Sequence, residues 1–475
     1  MMRRVGNSCA LWRAPARRAY ATKISDAWYD VVISGGGIVG ATVACLLTSQ
    51  RRLRVALFEP NAHAFLERAG KEDAKHEYGE QKDRNVSLRT STITVESEAV
   101  LQSCGVWQRI PELRRPKVKR MVVWDHTGYS SAALHAASVL NFDASAASRT
   151  QQPEYMASVV ENETLLSALY SQLRDVQNEN STSAPSCLDI FAEPVRDVMY
   201  NPRGDEWPVI QRTPQPLTAR VLVATDGRNS NIRKLFSMPW FSFSYEQRAV
   251  VANVIVSGDE QKQDKPGASS ISSTAFQNFL PTGPIALLPI RHLASGETVM
   301  NVVWSTSDTE AMLLQDCTET EFIEELRDAL TGPHALDFKS LAAGSQRATF
   351  PLVFGHAPQY VNGRVALLGD AAHAVHPLAG QGVNLGLADA ASMANRLMCA
   401  AECGRDLGGD GGAVLLNYQK DRLLKNVAMI MSIDAVGRIY KTPGPVAAAI
   451  RAMGTGIISS APGIKDRIMR YAMGA

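Results

Sequence analysis

The stretch that most constrains this chain lies between residues 29 and 59. Residues 29–34 (YDVVIS) form an apolar run short enough for a buried strand, and Gly35-Gly36-Gly37-Ile38-Val39-Gly40 follows without a linker. An apolar helical pattern continues to Leu47, and a second strand-like run, residues 55–58, stops at Glu59, 19 residues beyond Gly40. Each part has a physical task. Gly35 makes the turn, Gly37 lets the backbone approach a pyrophosphate, and Gly40 lets helix pack closely on strand. A carboxylate at the end of the second strand can accept hydrogen bonds from both ribose hydroxyls of an adenosine. A glycine-rich packing turn would account for the glycines but not for the acid at this spacing, so the order specifies a dinucleotide site on an α/β sheet.

Two later stretches repeat the theme. Residues 220–223 run into Ala224-Thr225-Asp226-Gly227-Arg228-Asn229-Ser230, with Arg233 one helical turn on. Residues 363–390 read GRVALLGDAAHAVHPLAGQGVNLGLADA: an apolar run, then Gly369-Asp370, then Gly380, Gly382 and Asn384 ahead of an Ala/Leu-rich helical pattern. In both, an acid stands at the C-terminal end of a strand, where open α/β sheets bind ligands. Glycines before a helix leave backbone N–H groups and the helix N-terminus free to face an electron-rich ligand. Three such strand ends in one chain imply a single fold returning repeatedly to one extended cofactor.

Charge distribution says more than its sum. The 475 residues carry a net charge of +2, which is no signature of nucleic-acid binding. Residues 1–20 hold Arg3, Arg4, Arg13, Arg17 and Arg18 and no acid, so the remainder is net acidic. This start reads as a mitochondrial transit peptide, with a disordered basic arm as its plain alternative. Seven cysteines without C-x-x-C spacing argue for reduced thiols and against zinc or a disulfide framework. No apolar run reaches the roughly 18 residues of a membrane span.

Between the motifs, residues 60–83 are polar and charged and read as an exposed excursion with little regular structure. Helical patterns fall at 97–104, 161–173, 318–330, 385–403 and 415–440, the last with Leu424, Val427, Met431, Ala435 and Ile439 on one stripe. Strand patterns fall at 121–125, 188–191, 208–211, 250–256, 274–280, 285–289 and 299–305. Within them FQNFLPTGPIALLPI is apolar enough to be plain core or a wall over a hydrophobic substrate. Residues 446–473 alternate small apolar side chains with Arg451, Lys465, Arg467 and Arg470, a pattern that suits core packing or a cationic tail on a membrane.

The three glycine/acid motifs, in this order, resemble those of the class A flavoprotein aromatic hydroxylases. FLPTGPIALLPI, VVWSTS, RVALLGDAAHAVHPLAGQGVN and the R-x-S-x-I start of RTSTI are similar to segments of the ubiquinone-biosynthesis monooxygenases among them. The resemblance implies an α/β architecture like that of para-hydroxybenzoate hydroxylase. A Rossmann-like FAD-binding domain (28–120, 155–235 and 345–400) would interleave with a substrate-binding sheet domain (121–154 and 236–344), and 401–475 would form a C-terminal helical region. Gly35, Gly37 and Gly40 would hold the FAD pyrophosphate, Glu59 the adenosine ribose, and Arg89 the cofactor near its pyrophosphate and ribityl chain. Asp226 and Gly227 would close over the cofactor, Asp370 would bond the ribityl chain, and the backbone from Gly380 through Gly382 to Asn384 would meet the flavin's pyrimidine edge.

The implied activity is FAD-dependent hydroxylation, at ring position 5, of a polyprenylated 4-hydroxybenzoate-derived phenol by O2, through a flavin hydroperoxide. No catalytic acid or base is assigned; His373 and His376 read as structural. The resemblance further implies electrons from a ferredoxin and ferredoxin reductase, a complex with other ubiquinone-biosynthesis proteins, and peripheral contact with the matrix face of the mitochondrial inner membrane. The alternatives are a related hydroxylase acting on another phenol or lipid, and a non-catalytic scaffold of the biosynthetic complex.

Overall fold

The computed structural model describes residues 27–73, 86–125, 139–144, 154–179, 187–201, 206–257, 271–331, 336–342, 346–375, 380–409 and 412–441. The basic start, the loop tip at 180–186, His376 and the 446–473 segment lie outside them.

An eight-stranded sheet sets the cofactor end of the molecule. Its main path runs Val361–Asn362, Val365–Leu367, Leu217–Ala224, Trp28–Ser34, Val55–Phe58, Leu188–Phe191. The last five run parallel to one another along this path. Register then does the work of assembly: Ser34 pairs with both Phe58 and Ala224, and Ala224 pairs with Leu367. Strands far apart in sequence therefore end in one row, and Gly35, Glu59, Thr225 and Leu368 leave the sheet side by side. Val31, Val32, Ile33, Val221, Leu222 and Val223 are wholly buried, because helices cover the sheet and its strands carry continuous rather than alternating apolar runs.

The helices Ile38–Thr48, Asn162–Glu179 and Gln381–Glu402 pack together over this core. The segment after Pro60 corrects the expectation of an irregular excursion: Ala62–Asp73 is a helix. Ala62 and Ala69 are buried, and Phe65 lies 5.1 Å, centroid to centroid, from Tyr170 on the Asn162–Glu179 helix. Its apolar residues recur three and four apart, so tertiary burial of a narrow face outweighs a charged composition.

A nine-stranded sheet forms the second unit. Its path is His373–Ala374, Ala348–His356, Phe241–Ser257, Thr298–Ser307, Gly283–His292, Thr274–Leu280, Arg120–Asp125, Leu140–Asp143, with Asp337–Leu341 on a branch. The sequence alone groups 345–400 with the cofactor unit; in the structure Ala348–His356 pairs with Phe241–Ser257 on the second sheet. The Gly369–Asp370 turn therefore bridges the two units, leaving the first sheet at Leu367 and joining the second at His373. The stretch FQNFLPTGPIALLPI supplies core: Phe276, Leu280, Ile285 and Leu287 pack in one cluster with Phe322, Ile323 and Leu326 of the Glu319–Ala329 helix. The helix Asp308–Asp316, capped by Ser307, was not legible as a pattern because it is short and buries only Ala311 and Leu314. A three-stranded sheet (Thr90–Thr94, Ala157–Glu161, Lys117–Val118) joins the units.

The Ala413–Lys441 helix packs on Gln381–Glu402 with an unexpected face. Leu424 is 76% and Met431 65% exposed, while Tyr418, Arg422 and Asn426 are buried. Leu424, Met431 and Ile439 of the stripe read from the sequence point outward; the inward face is apolar at Val414, Leu415, Tyr418, Ile430 and Ile433 and carries Arg422 and Asn426 in its middle.

Candidate cofactor and substrate site

The glycine turn is shaped by close approach. Gly35 has φ +102°, and a Cβ there would stand 2.5 Å from the Thr225 carbonyl oxygen; one on Gly40 would stand 1.9 Å from the Gly35 carbonyl oxygen. A Cβ on Gly37 would meet nothing within 4 Å. Gly37 caps the Ile38–Thr48 helix without a side-chain hydrogen bond, so the helix's first N–H groups face open space. The positive end of the helix dipole there is open to an anion such as a phosphate.

Gly36, between the fingerprint glycines, is as constrained as they are. Its N–H donates to Glu59 Oε2 at 2.8 Å and its carbonyl accepts from the Tyr170 hydroxyl at 3.0 Å. Burial, reinforced by the Glu59 carboxylate, pushes the Tyr170 phenol up and keeps it a donor. Glu59 also accepts from Asn61 N–H at 3.0 Å, so this carboxylate holds the turn's shape as well as standing where a ribose would lie. Tyr170 is visible in the sequence only as one apolar-face residue of a helix.

Below the turn lies a cavity of about 620 Å³, within the range typical of small-molecule sites. Arg89, Asp226, Asp370, Gly380 and Gly382 line it, together with Arg228. Gly35, Gly37, Gly40, Glu59, Gly227 and Asn384 do not. The first four build the adjoining turn; Gly227, at φ +80°, serves the backbone. Asp226 Oδ2 accepts from the N–H groups of Asn231 (2.7 Å) and Ile232 (3.1 Å), while its buried Oδ1 has no partner among the described residues. An orphaned acceptor on the wall of a cavity suits a ligand hydroxyl. Arg89 stacks over Phe350 at 5.3 Å, which fixes the guanidinium at the rim.

Asp370 faces the cavity from a concave wall. Its surrounding protein pushes the carboxyl above the ordinary value, against the pull of His373, Arg228 and Arg89. Gly380, at φ +61°, caps the Gln381–Glu402 helix, which begins one turn before the expected Leu385. Asn384 is consequently inside the first turn, 6% exposed, with its amide donating to the Thr92 carbonyl (2.8 Å) and accepting from Thr94 N–H (3.1 Å). Its side chain ties the helix start to the strand after Arg89, and the helix's positive end, at Gly382 and Val383, lines the cavity.

The opposite wall is apolar. Ala249, Val251, Val303, Phe350 and Leu352, from three adjacent strands of the second sheet, face the cavity. Asn301 stands among them, bonded to Asn253 (2.7 Å) and Thr90 (3.0 Å). Asparagine inside the apolar runs VVANVIV and VMNVVW was the sequence signal for this tie.

Behind Asp370 is a saturated buried carboxylate. Asp389 Oδ2 accepts from Gly369 N–H (3.1 Å) and His373 Nε2 (2.6 Å); Oδ1 accepts from Arg422 Nε (2.8 Å) and Asn426 Nδ2 (3.0 Å). Complete burial pushes this carboxyl up, but His373 and Arg422 outweigh it and bring it to about 2. Among the described residues no cluster could hold a metal ion, and no helix is long and apolar enough to cross a membrane.

A flavin dinucleotide fits these residues: an open helix N-terminus for a pyrophosphate at the glycine turn and, lining the adjoining cavity, an orphaned acceptor, a carboxylate and a second helix N-terminus. The profile of the FAD binding domain family matches residues 28–431. The chain is 33% identical to the mitochondrial ubiquinone biosynthesis monooxygenase COQ6 of Xenopus tropicalis, over 94% of this chain and 93% of that one. It is 31% identical to the Homo sapiens protein of the same name, over 96% and 94%. The fold is similar to p-nitrophenol 4-monooxygenase PnpA from Pseudomonas putida (TM-score 0.63, 18% identity, 94% of this chain and 98% of that one). It is also similar to PqsL, a probable FAD-dependent monooxygenase from Pseudomonas aeruginosa (TM-score 0.62, 19% identity, 90% and 99%). Fold and site thus define an FAD-dependent flavoprotein monooxygenase. Within that class the chain belongs to the mitochondrial ubiquinone biosynthesis monooxygenase family.

Proposed function

We propose that this chain hydroxylates the aromatic ring of a polyprenylated 4-hydroxybenzoate-derived intermediate of ubiquinone synthesis, at ring position 5. The observation that carries the reading is a cavity lined by two strand-end acids, one helix N-terminus and an apolar wall, with the glycine turn and its own helix N-terminus adjoining it. FAD, when bound, supplies the activation of O2 for insertion into an electron-rich ring. The protein's part is to bind, orient and exclude water. Gly35, Gly37 and Gly40 admit the pyrophosphate, and Glu59 takes the adenosine ribose beside the turn it already braces. Arg89, Asp226 and Asp370 hold the middle of the cofactor, with Gly227 shaping the loop that covers it. The N-terminus of the Gln381–Glu402 helix, at Gly380, Gly382 and Asn384, directs its dipole toward the negative charge that develops on the cofactor. Ala249, Val251, Val303, Phe350 and Leu352 press on the ring's apolar face and keep the site dry.

Electrons come from a ferredoxin and its reductase, a reading supported by membership of the mitochondrial family; flavin reduction by NADPH alone at a catalytic rate would count against it. The chain works on the matrix face of the inner membrane beside other ubiquinone-biosynthesis proteins; the family's mitochondrial members and the outward apolar stripe of the Ala413–Lys441 helix support this reading. The test is mass spectrometry of prenylated phenols in mitochondria depleted of the chain. The expected result is accumulation of an intermediate one ring oxygen short, reversed by the wild type but not by Gly37→Val, whose purified form lacks FAD. Unchanged quinones would remove the substrate assignment, and rescue by a flavin-free variant would favour a scaffold.

A further inference from the structure

We infer that Asp389 is a positioning residue for Asp370, and that Arg422 and Asn426 make the Ala413–Lys441 helix a working part of the cofactor site. The inference rests on Asp370 facing the cofactor, as proposed above. Three observations carry it.

The first is loop closure. A single oxygen of Asp389 accepts from both ends of the segment 369–373, the Gly369 N–H at 3.1 Å and the His373 ring at 2.6 Å. Asp370 lies between those ends with its carboxylate on the cavity wall. Gly369 has φ +56°, a left-handed conformation that glycine adopts without strain, so backbone preference alone does not fix the turn and the two hydrogen bonds to Asp389 do.

The second is saturation. The other oxygen receives Arg422 Nε and Asn426 Nδ2, so all four lone-pair directions of the carboxylate are used and none is left for an alternative geometry. Arg422 in turn donates to Asn426 Oδ1 at 2.7 Å. The carboxylate is 0% exposed, and removing one partner would leave charge uncompensated in a low-dielectric core.

The third is the placement of two polar side chains within an apolar face. The helix buries Val414, Leu415, Tyr418, Ile430 and Ile433, and Arg422 and Asn426 interrupt that face at its middle. Apolar side chains at these two positions would pack with no desolvation cost. The arrangement has a physical reason if the inward cation sets the charge behind the Gly369–Asp370 turn.

The test compares Asp389→Asn, which removes a negative charge, with Arg422→Met, which removes a positive one. Tyr418→Phe serves as control: it deletes an equally buried hydrogen bond of the same helix, 2.9 Å to the Leu367 carbonyl, without touching the carboxylate. FAD affinity is read by flavin fluorescence titration and the flavin reduction potential by equilibration with reference dyes. Asp389→Asn and Arg422→Met are expected to weaken FAD at least tenfold and to shift the potential in opposite directions, up for Asp389→Asn and down for Arg422→Met. Arg422→Lys, which keeps the charge, is expected to recover most of the potential, and Arg422→Gln, which removes the charge but keeps a donor, stands in should Arg422→Met fail to fold. Tyr418→Phe should lower Tm while leaving affinity and potential near wild type. Equal loss of affinity in all three variants, or potentials that move together, would reduce the network to scaffolding and overturn the inference. If Asp370 does not face FAD at all, Asp370→Asn will leave affinity and potential unchanged, which separates failure of the underlying site reading from failure of this one.

Discussion

Single residues here act through what they leave no room for. Gly36→Ala would drive a Cβ to 2.3 Å from the Tyr170 hydroxyl and 2.6 Å from the Glu59 Cβ. It is expected to cost about 1–3 kcal/mol of overpacking, measured by thermal unfolding of the protein without FAD. Asp389 gives a pH signature. Its carboxyl is held at about 2 in the folded protein, below its ordinary unfolded value near 3.8. The stabilisation is therefore fully present above about pH 4 and is lost as pH falls toward 2, when the folded chain must also take up the proton. It is worth about 2 kcal/mol. Acid unfolding curves of wild type and Asp389→Asn should converge over that window; parallel curves would count against it. The residues of the fingerprint were legible because each glycine answers a local steric demand that spacing reveals. Tyr170 and Arg422 were not, because their partners lie 134 and 33 residues away.

At the scale of elements, the outward stripe of the Ala413–Lys441 helix separates two readings of amphipathicity. If burial decides stability, Leu424→Lys and Met431→Lys should change it by less than about 0.5 kcal/mol, whereas Ile430→Ala, on the inward face at 7% exposure, should cost about 2–4 kcal/mol. Denaturant melts of the three variants make the comparison, and a large loss from Leu424→Lys would mean that this face is covered in solution. Periodicity located the helix but not its orientation, since a period has a face and no address. The Ala62–Asp73 helix shows the converse: its charged composition hid a narrow buried face that exists only against the Asn162–Glu179 helix.

In the whole molecule, a buried polar tie joins the nine-stranded sheet to the three-stranded one. Arg291, on the second sheet, meets Glu161, at the end of the three-stranded sheet, at 2.5 Å with both side chains under 5% exposed. Glu161 also accepts from Ser87 N–H at 2.8 Å, just before Arg89. Arg291→Met is expected to destabilise the fold by about 1–3 kcal/mol, because among the described residues the buried Glu161 carboxylate keeps only Arg114, 3.5 Å away, and the Ser87 N–H, and to raise the KM for substrate by loosening the Arg89 segment. Thermal unfolding and steady-state kinetics together check this; a normal KM at reduced Tm would confine the tie to stability. The sequence by itself determined the cofactor class, because pyrophosphate approach, helix packing and a strand-end acid impose spacings that few other structures need. It also located most strands and helices. Only the tertiary structure decided which strand ends share a row, which face of the last helix turns inward, and which sheet walls the cavity. Those outcomes depend on register and packing between segments hundreds of residues apart, where no local pattern of side chains can specify a partner.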